Sequence, residues 1–575
     1  MHMKTKKLSI MPQTVCNILI LVFFFWFVMA CLIMPNINTI WSVFVQEGEF
    51  TLEPLQKLLG SERAMKSLKN SFILAPSLAL TVGFVGISLV LITEYFDIKG
   101  ASILRLGYMT TLIYGGIILV SGYKFIYGNN GFLTNIFAGI IPSFPTDWFQ
   151  GYWAVLFVMT FACTSNHMIF LRNAMRAVDF QTVEAAQNMG AGPGKILLKV
   201  VLPVLTPSLL AVTILTFITG LSATSAPLLV GGRDFQTITP MILSFSKNVG
   251  SRDLAALLAL FLGIATIILL VVMMQIEKRG HYMSVSKVKT TIVKQKIRNP
   301  VLNVLAHGYA YILFLIYVVP VVLIILFSFT DSATIASRKL SISSFTLKNY
   351  EAVFSKATAY KPFLVSIVYS ALSAFAVAVL VLAACRIIQK RKDKISTALE
   401  YSLLIPWLLP TTLIAIGLIT TYNTPRFWMF NKVLTGTTII MFLGYMIIKI
   451  PFTLRMTKAA FFALDDSLED AARNLGAKPL YTFFRVLLPV VLPTVLAIFA
   501  LNFNGLLGDY DMSVFMYHPL MQPLGVYIKS LTDSQTNADN SALTFVYAVL
   551  MMIISGIVLY LVYGRGENKV KGNNK

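Results

Sequence analysis

Charged residues are scarce in this sequence. Only 13% of its 575 residues are Asp, Glu, Lys or Arg, whereas 57% are hydrophobic, and the mean hydropathy is +0.75. A water-soluble globular chain carries about 25% charged residues, so this composition excludes that class and predicts an integral membrane protein. Cysteine is also rare. The four cysteines lie in or beside apolar runs, without the spacing of a metal or redox site.

Sequence motifs of catalytic and nucleotide-binding sites are missing as well. No HExxH zinc-protease pattern occurs, and the nearest approach to a phosphate-binding loop is GAGPGKI at 190–196. That stretch has one residue too few before its Gly-Lys pair, and Ile196 replaces the required Ser or Thr. The chain is therefore predicted not to be an enzyme, and a membrane-embedded enzyme is the weakest of the functional classes considered.

Apolar runs long enough to cross a bilayer, about 20 residues each, dominate what is present. They predict an all-α polytopic membrane protein with about twelve transmembrane helices. The runs lie near residues 15–35, 72–93, 103–123, 152–171, 204–222, 254–276, 308–329, 363–385, 399–421, 437–454, 490–508 and 543–563.

The distribution of charge predicts the orientation. When the amino terminus is placed in the cytoplasm, most of the 47 Lys and Arg residues fall in cytoplasmic loops, whereas the 25 acidic residues divide almost evenly. A bias in Lys and Arg alone is the positive-inside pattern, so both termini are predicted to be cytoplasmic. The formal net charge of +22 is dispersed over many loops, which favours a lipid bilayer and not a nucleic acid as partner.

The sequence contains an internal repeat. Residues 286 positions apart match through a charged stretch of each half, for example Asn188 with Asn474 and Pro207 with Pro493. A tandem duplication of six spans gives two parallel repeats related by a pseudo-twofold axis along the membrane normal. The predicted domains are a first half (1–276), a basic cytoplasmic linker (277–301) and a second half (302–575).

The matched stretch is a cytoplasmic loop between the fourth and fifth spans of each half. Gly190 and Gly476 are predicted to end a short helix in the left-handed conformation, and the prolines at 193 and 479 to prevent it from resuming. Each loop has roughly thirty residues, whereas a simple connection needs only a few. The loops are therefore predicted to be docking surfaces for a partner chain.

The loop sequences, EAAQNMG at 184–190 and DAARNLG at 470–476 with a later Leu-Pro, resemble the signature of type I ABC importer permeases, the membrane subunits of binding-protein-dependent importers. In the second copy aspartate replaces the usual glutamate, and a glutamate precedes it. The residues that the resemblance assigns to ATPase coupling are Glu184, Ala185, Ala186, Gly190, Pro203, Glu469, Asp470, Ala471, Ala472, Gly476 and Pro489.

The resemblance implies a MetI-like fold in a bacterial inner membrane. It implies two copies of an ABC ATP-binding subunit as partners, with ATP and magnesium bound by those chains and no cofactor in this one. It also implies an extracytoplasmic substrate-binding protein. The fused two-half form is similar to ferric iron permeases, with 2-aminoethylphosphonate or a polyamine as alternative substrates.

Polar residues around the eleventh span are the candidates for a substrate pathway: Asn502, Asn504, Asp509, Tyr510 and Asp511. Carboxylate and phenolate oxygens suit ferric iron, but solvated acids at a helix end are the favoured explanation. An alternative of a different class is a secondary transporter driven by an ion gradient. Such a protein needs a buried ionisable residue at mid-membrane, and the predicted spans have almost none.

Overall fold

The fold is almost entirely helical. The only strands named within the described residues are two short ones, Val45–Gln46 and Glu49–Phe50, which pair antiparallel. The computed structural model describes residues 18–46, 48–129, 131–175, 178, 180–279, 294–337, 340, 342–391, 393–462, 464, 467–533 and 538–564.

Ten helices in this part of the chain are long and apolar enough to cross a membrane, and two further apolar runs form bent helix pairs. These elements confirm the predicted fold class and the count of about twelve. They are α1 (Ile18–Phe44), α2 (Glu62–Tyr95), α3 (Ala101–Leu112), α4 (Gly116–Tyr127), α5 (Tyr152–Met175), α6 (Pro193–Leu221), α7 (Arg252–Arg279), α8 (Pro300–Ser328), α9 (Ala357–Arg391), α10 (Lys394–Leu408), α11 (Thr411–Tyr422), α12 (Thr438–Phe462), α13 (Pro479–Leu507) and α14 (Ala538–Leu559).

The third run of each half is present but bent, so the apolar runs predicted near 103–123 and 399–421 each form a pair of helices and not one continuous helix. The chain turns by 112° between α3 and the helical stretch that begins at Gly116, and by 105° between α10 and α11. Gly116 has a φ of +58°, which favours glycine. At the second bend Leu409 is extended, with φ −112° and ψ 136°, as the residue before a proline prefers to be.

Shorter helices lie between the long ones. They include Glu53–Leu59, Phe180–Asn188, Ser225–Val230, Ile238–Ser246, Lys348–Ser355, Ser467–Asn474, Ser513–Met516 and Leu524–Asp533.

The duplication is visible in the element boundaries. A π-helical turn covers Leu197–Val201 in α6 and Phe483–Leu487 in α13, and α-helix resumes at Leu202 and at Leu488. Each boundary in one half lies 286 positions from its counterpart in the other. The tandem repeat predicted from the sequence therefore extends to local backbone geometry.

The two halves exchange their first helices. Helix α1 packs on α11 of the second half, where the Tyr422 hydroxyl donates to the Ala30 carbonyl. Reciprocally, α8 packs on α3 of the first half, where the Tyr108 hydroxyl donates to the Ala310 carbonyl at 2.7 Å. The predicted domain boundaries stay a prediction, but each half as drawn contributes a helix to the core of the other.

The end of the predicted linker is attached to the first half. The Gln295 N–H donates to the Tyr95 carbonyl at 2.8 Å, and the Asp97 N–H donates to the Gln295 carbonyl at 3.0 Å. Residues 280–293, the middle of that linker, lie outside the described residues.

Candidate coupling surface and transport pathway

Two loops, which we call coupling loop 1 (180–196) and coupling loop 2 (467–482), share one backbone design. Gly190 and Gly476 both have a φ of +81°. The residue after each glycine donates its N–H five positions back, from Ala191 to Ala186 and from Ala477 to Ala472, at 3.0 Å in both cases. This is the Schellman arrangement, which confirms that both glycines end their helices in the left-handed conformation.

The two adjacent alanines of each loop comprise one buried and one exposed residue. Ala186 and Ala472 are buried, each 8% exposed, whereas Ala185 and Ala471 are exposed. The acidic residues Glu184 and Asp470 are exposed as well. One face of each short helix therefore packs on the protein and the opposite face is presented to solvent.

The tips of both loops expose an apolar side chain. Met189 is 82% exposed and Leu475 is 88% exposed, and the two positions are 286 apart. A second equivalent pair follows, because Leu198 and Phe484 are 68% and 59% exposed. Apolar side chains at matching exposed positions mark interaction surfaces. Sequence reasoning missed these four residues, although Met189 and Leu475 directly precede the signature glycines.

Coupling loop 2 is anchored by charge. The Arg386 guanidinium donates to both Glu469 carboxylate oxygens at 2.8 and 2.9 Å, and Lys390 Nζ lies 3.1 Å from Glu469. These hydrogen bonds and cations lower the pKa of Glu469 to about 2. Because Arg386 and Lys390 lie near the end of α9, Glu469 ties the loop to that helix, whereas Asp470 stays exposed.

Coupling loop 1 is anchored by neutral hydrogen bonds. Gln187 Nε2 donates to Gln295 Oε1 at 2.5 Å, and the Tyr95 hydroxyl donates to the Pro193 carbonyl at 3.0 Å. The position equivalent to Glu469 is Val183, which is buried. The two loops thus have the same backbone conformation, but ion pairs anchor coupling loop 2 and neutral hydrogen bonds anchor coupling loop 1.

Both loops lie at the same face of the molecule. Coupling loop 1 contacts the carboxyl-terminal end of α2 at Tyr95, and coupling loop 2 contacts the corresponding end of α9. Helix α2 contains 34 residues, which correspond to about 50 Å of helix. Its amino-terminal end is therefore on the opposite face, about a bilayer thickness away.

The two halves meet at Asp511. Ser225 Oγ donates to Asp511 Oδ1 at 3.4 Å, across a sequence separation of 286 residues. These two residues occupy the same position in the two repeats, so the pseudo-twofold axis passes between them. Of the predicted pathway residues, Asp511 forms a hydrogen bond across the junction of the halves.

Three of the other predicted pathway residues, Asn502, Asn504 and Asp509, form hydrogen bonds within the second half. Asn502 Nδ2 donates to Thr453 Oγ1 at 2.7 Å, and Asn504 Nδ2 donates to the Ser555 carbonyl at 3.4 Å. Tyr510 is only 4% exposed and belongs to an apolar cluster that contains residues of both halves. Asp509 accepts the N–H groups of Met512 and Ser513 at 3.2 and 3.0 Å, and so caps the short helix that follows.

Lys449 is a further charged residue of this region, and sequence reasoning missed it. It lies near the middle of α12, and its Nζ is 2.9 Å from the point where a Cβ on Gly505 would lie. The equivalent position in the first half is Cys163, so the charge belongs to one half alone. Lys449 is flanked by apolar residues, which hid it in an averaged hydropathy profile.

Among the described residues, no group of three or more His, Cys, Asp or Glu side chains is arranged to hold a metal ion. Asp509 and Asp511, which the sequence grouped as hard-oxygen candidates, face different partners.

A family model described as the binding-protein-dependent transport system inner membrane component matches residues 75–279 and 380–572. The chain is 36% identical to a protein named as an ABC transporter permease of Sinorhizobium fredii, over 93% of this chain and 94% of the relative. It is 19% identical to the ferric transport system permease protein of Actinobacillus pleuropneumoniae, over 96% of this chain and 78% of the relative.

A shorter similarity concerns the protein named as a 2-aminoethylphosphonate transport system permease in Salmonella typhi. It is 27% identical over 26% of this chain and 55% of the relative. Among solved structures, a bacterial ABC transporter that imports the acidic polysaccharide alginate matches 47% of this chain and 97% of its own, at 16% identity and a TM-score of 0.40.

Proposed function

Since the chain belongs to the family of binding-protein-dependent transport system inner membrane components, we propose that its two coupling loops each dock onto one copy of a separate ABC ATP-binding subunit. The chain itself is a fused two-half permease of an ABC importer. ATP and magnesium would be bound by the partner chains, in the cytoplasm, with both termini of the permease on that side of the bacterial inner membrane.

The mechanism follows from how the loops are attached. When the ATP-binding subunits close, they would move the exposed faces of the loops. Coupling loop 2 would transmit that movement to α9 through Glu469 and Arg386, and coupling loop 1 to α2 through the Tyr95 hydroxyl. The halves meet at Ser225 and Asp511, so a relative movement of α2 and α9 would open or close that junction. Substrate would pass there without covalent chemistry.

One observation carries the docking proposal: the equivalent exposed apolar tips, Met189 and Leu475. We expect the double substitution Met189→Glu, Leu475→Glu to remove the ATP-binding subunits from the detergent-purified complex. Burying one large apolar side chain contributes about 1.5–3 kcal/mol, so each site should lose binding at least about tenfold.

Asn188→Asp with Asn474→Asp is the matched control. It adds a negative charge one position away in each loop without removing an apolar side chain, and both asparagines are exposed. The control complex should stay intact. If the Met189 and Leu475 variants co-purify with the ATP-binding subunits as the control does, the loops do not dock.

Ferric iron is the proposed substrate. The similarity to a ferric permease over nearly the whole chain and the carboxylate of Asp511 at the junction support it, because hard oxygen ligands suit ferric iron. A 2-aminoethylphosphonate or another anion is the alternative, favoured by the cationic Lys449. Uptake of radioactive iron and of labelled phosphonate by proteoliposomes separates the two. A secondary transporter would instead take up substrate without any ATP-binding subunit.

A further inference from the structure

A polar cavity of about 420 Å³ lies in the first half, between the amino-terminal end of α2 and the segment that follows the Ser225–Val230 helix. Its lining includes Arg63 and Lys66 from α2 and Arg233 from that segment. All three side chains are exposed. We call this the basic pocket.

Two hydrogen bonds next to the basic pocket fix its shape. Asn70, which is 8% exposed, donates its Nδ2 to the Gln236 carbonyl at 3.0 Å. One residue further, Ser71 Oγ accepts the Ile238 N–H at 2.9 Å. These bonds fix the segment that carries Arg233 against α2, so the three cations are brought together by the fold.

The three cations are not neutralised by the chain. Glu62 and Asp234 are their sequence neighbours, yet within the described residues no carboxylate oxygen lies within 4.0 Å of Arg63, Lys66 or Arg233. Two of the cations also occupy the first two turns of a helix that begins at Glu62, where the helix dipole disfavours positive charge. An anion from outside the chain would offset this unfavourable term.

The basic pocket is on the face opposite the coupling loops. It surrounds the amino-terminal end of α2, whereas coupling loop 1 contacts Tyr95 at the other end of that helix. It is therefore on the side from which a substrate-binding protein would approach.

The aligned surface of the second half carries fewer cations. Ser366 Oγ accepts the Leu524 N–H at 2.8 Å, the counterpart of the bond between Ser71 and Ile238, and this aligns the two external surfaces. In that alignment Thr358 replaces Arg63, Lys361 replaces Lys66, and Pro519 replaces Arg233. One cation remains where the first half has three.

We propose that the basic pocket receives acidic side chains of the extracytoplasmic substrate-binding protein and thereby fixes the orientation in which that protein docks. The inference rests on the proposed function. A protein that docks across a pseudo-twofold axis meets two similar half-surfaces and so has two nearly equivalent orientations. A cation cluster on one half stabilises one of them and speeds the encounter.

Protein carboxylates fit the pocket better than a free anion does. The three cations are solvent-exposed, so a small ion would gain little from each of them. An acidic side chain on a docked protein is held there by the rest of the interface, which raises its effective concentration.

The test compares two charge-matched triple variants of the full permease with its ATP-binding subunits in nanodiscs. One is Arg63→Gln, Lys66→Gln, Arg233→Gln. The control is Lys348→Gln, Lys356→Gln, Lys361→Gln, three exposed lysines on the same face of the second half. The probe is the purified binding protein whose deletion abolishes uptake through this permease, titrated in low and in high salt.

We expect the pocket variant to bind the probe about tenfold more weakly at about 50 mM salt, and about twofold more weakly at about 500 mM, since exposed pairs contribute a few tenths to 1 kcal/mol each and are screened. The control should bind within about twofold of the wild type. Equal weakening in both variants, or none in the pocket variant, overturns the proposal.

Two further arms distinguish other anions. Sulfate and inorganic phosphate, added at matched ionic strength, should not compete with the probe, and nanodiscs with and without anionic lipid should give the same affinity. Competition by either anion, or a dependence on lipid charge, would assign the pocket to a small oxyanion or a headgroup instead. If the probe does not stimulate ATP hydrolysis by the wild-type complex, the proposed function is wrong. That result contradicts the proposed function and not the proposal for the basic pocket.

Discussion

The left-handed glycines of the coupling loops allow a sharp test. Replacing Gly190 and Gly476 with alanine keeps the loops small but imposes a Cβ at a φ of +81°. No heavy atom lies within 4 Å of either Cβ position, so the cost is backbone strain alone, about 1–2 kcal/mol per site. The loop conformation should therefore be depopulated about fivefold to thirtyfold at each site.

The chain offers its own control at Gly192 and Gly194. Nothing lies within 4 Å of a Cβ at these positions either, and Gly192 has a φ of −73°. Their counterparts in the second half are Lys478 and Leu480, so a side chain is tolerated there. Gly192→Ala and Gly194→Ala should leave coupling unchanged.

The assay is ATP hydrolysis by proteoliposomes in response to the loaded binding protein. The alanine variants at 190 and 476 should lose most of the stimulation and bind the ATP-binding subunits more weakly, with the thermal unfolding of the spans unchanged. Asparagine tolerates the left-handed region better than alanine does. Asparagine variants at 190 and 476 should therefore recover part of the stimulation of ATP hydrolysis. If the alanine variants are stimulated as fully as Gly192→Ala, the reasoning from backbone strain to coupling is refuted.

Three other predictions concern the core of the permease. Glu469→Gln removes an ion pair with Arg386 worth about 2 kcal/mol and should uncouple ATP hydrolysis from transport, measured as substrate moved per ATP. Because the folded pKa of Glu469 is lowered to about 2, the contribution of this group is fully present above about pH 4.5 and is lost progressively as the pH falls to about 2. The wild-type ratio should therefore not fall between about pH 6 and about pH 8 through this group. Lys449→Met should abolish uptake if the substrate is an anion and leave uptake intact if it is ferric iron, with ATP-binding subunits retained in both cases. Tyr108→Phe removes the hydrogen bond to Ala310 in the exchanged-helix contact and should destabilise the permease by about 1 kcal/mol, seen as a lower Tm with unchanged affinity for the ATP-binding subunits.

The sequence predicted the features that rest on local pattern. Apolar runs identify spans because a bilayer requires about 20 consecutive apolar residues, and the repeated Gly-x-x-Pro arrangement identifies the loop backbone because few residues adopt positive φ. Both features need only short stretches of chain, so both were confirmed.

The bends were not predictable from proline alone. Pro320 and Pro451 lie inside continuous helices, whereas Pro410 follows a break. Neighbouring helices can supply partners for the freed backbone groups in a membrane, so the outcome depends on packing that the local sequence does not contain.

Contacts between residues that are far apart in the chain were also not predicted from the sequence. Arg386 and Glu469 are 83 positions apart, and neither residue alone signals the other. The exchange of α1 and α8 between the halves depends on how the chain crosses the interface, which hydropathy does not encode. The basic pocket needs the same long-range information, because Arg63 and Arg233 are far apart in the chain.

The mass of the intact complex tests the docking claim most directly. Native mass spectrometry of the purified importer should give one permease chain with two ATP-binding subunits. The Met189→Glu variant and the Leu475→Glu variant should each lose one subunit, and the double variant should lose both. A wild-type complex with no ATP-binding subunit, or a double variant that keeps two, would contradict the account.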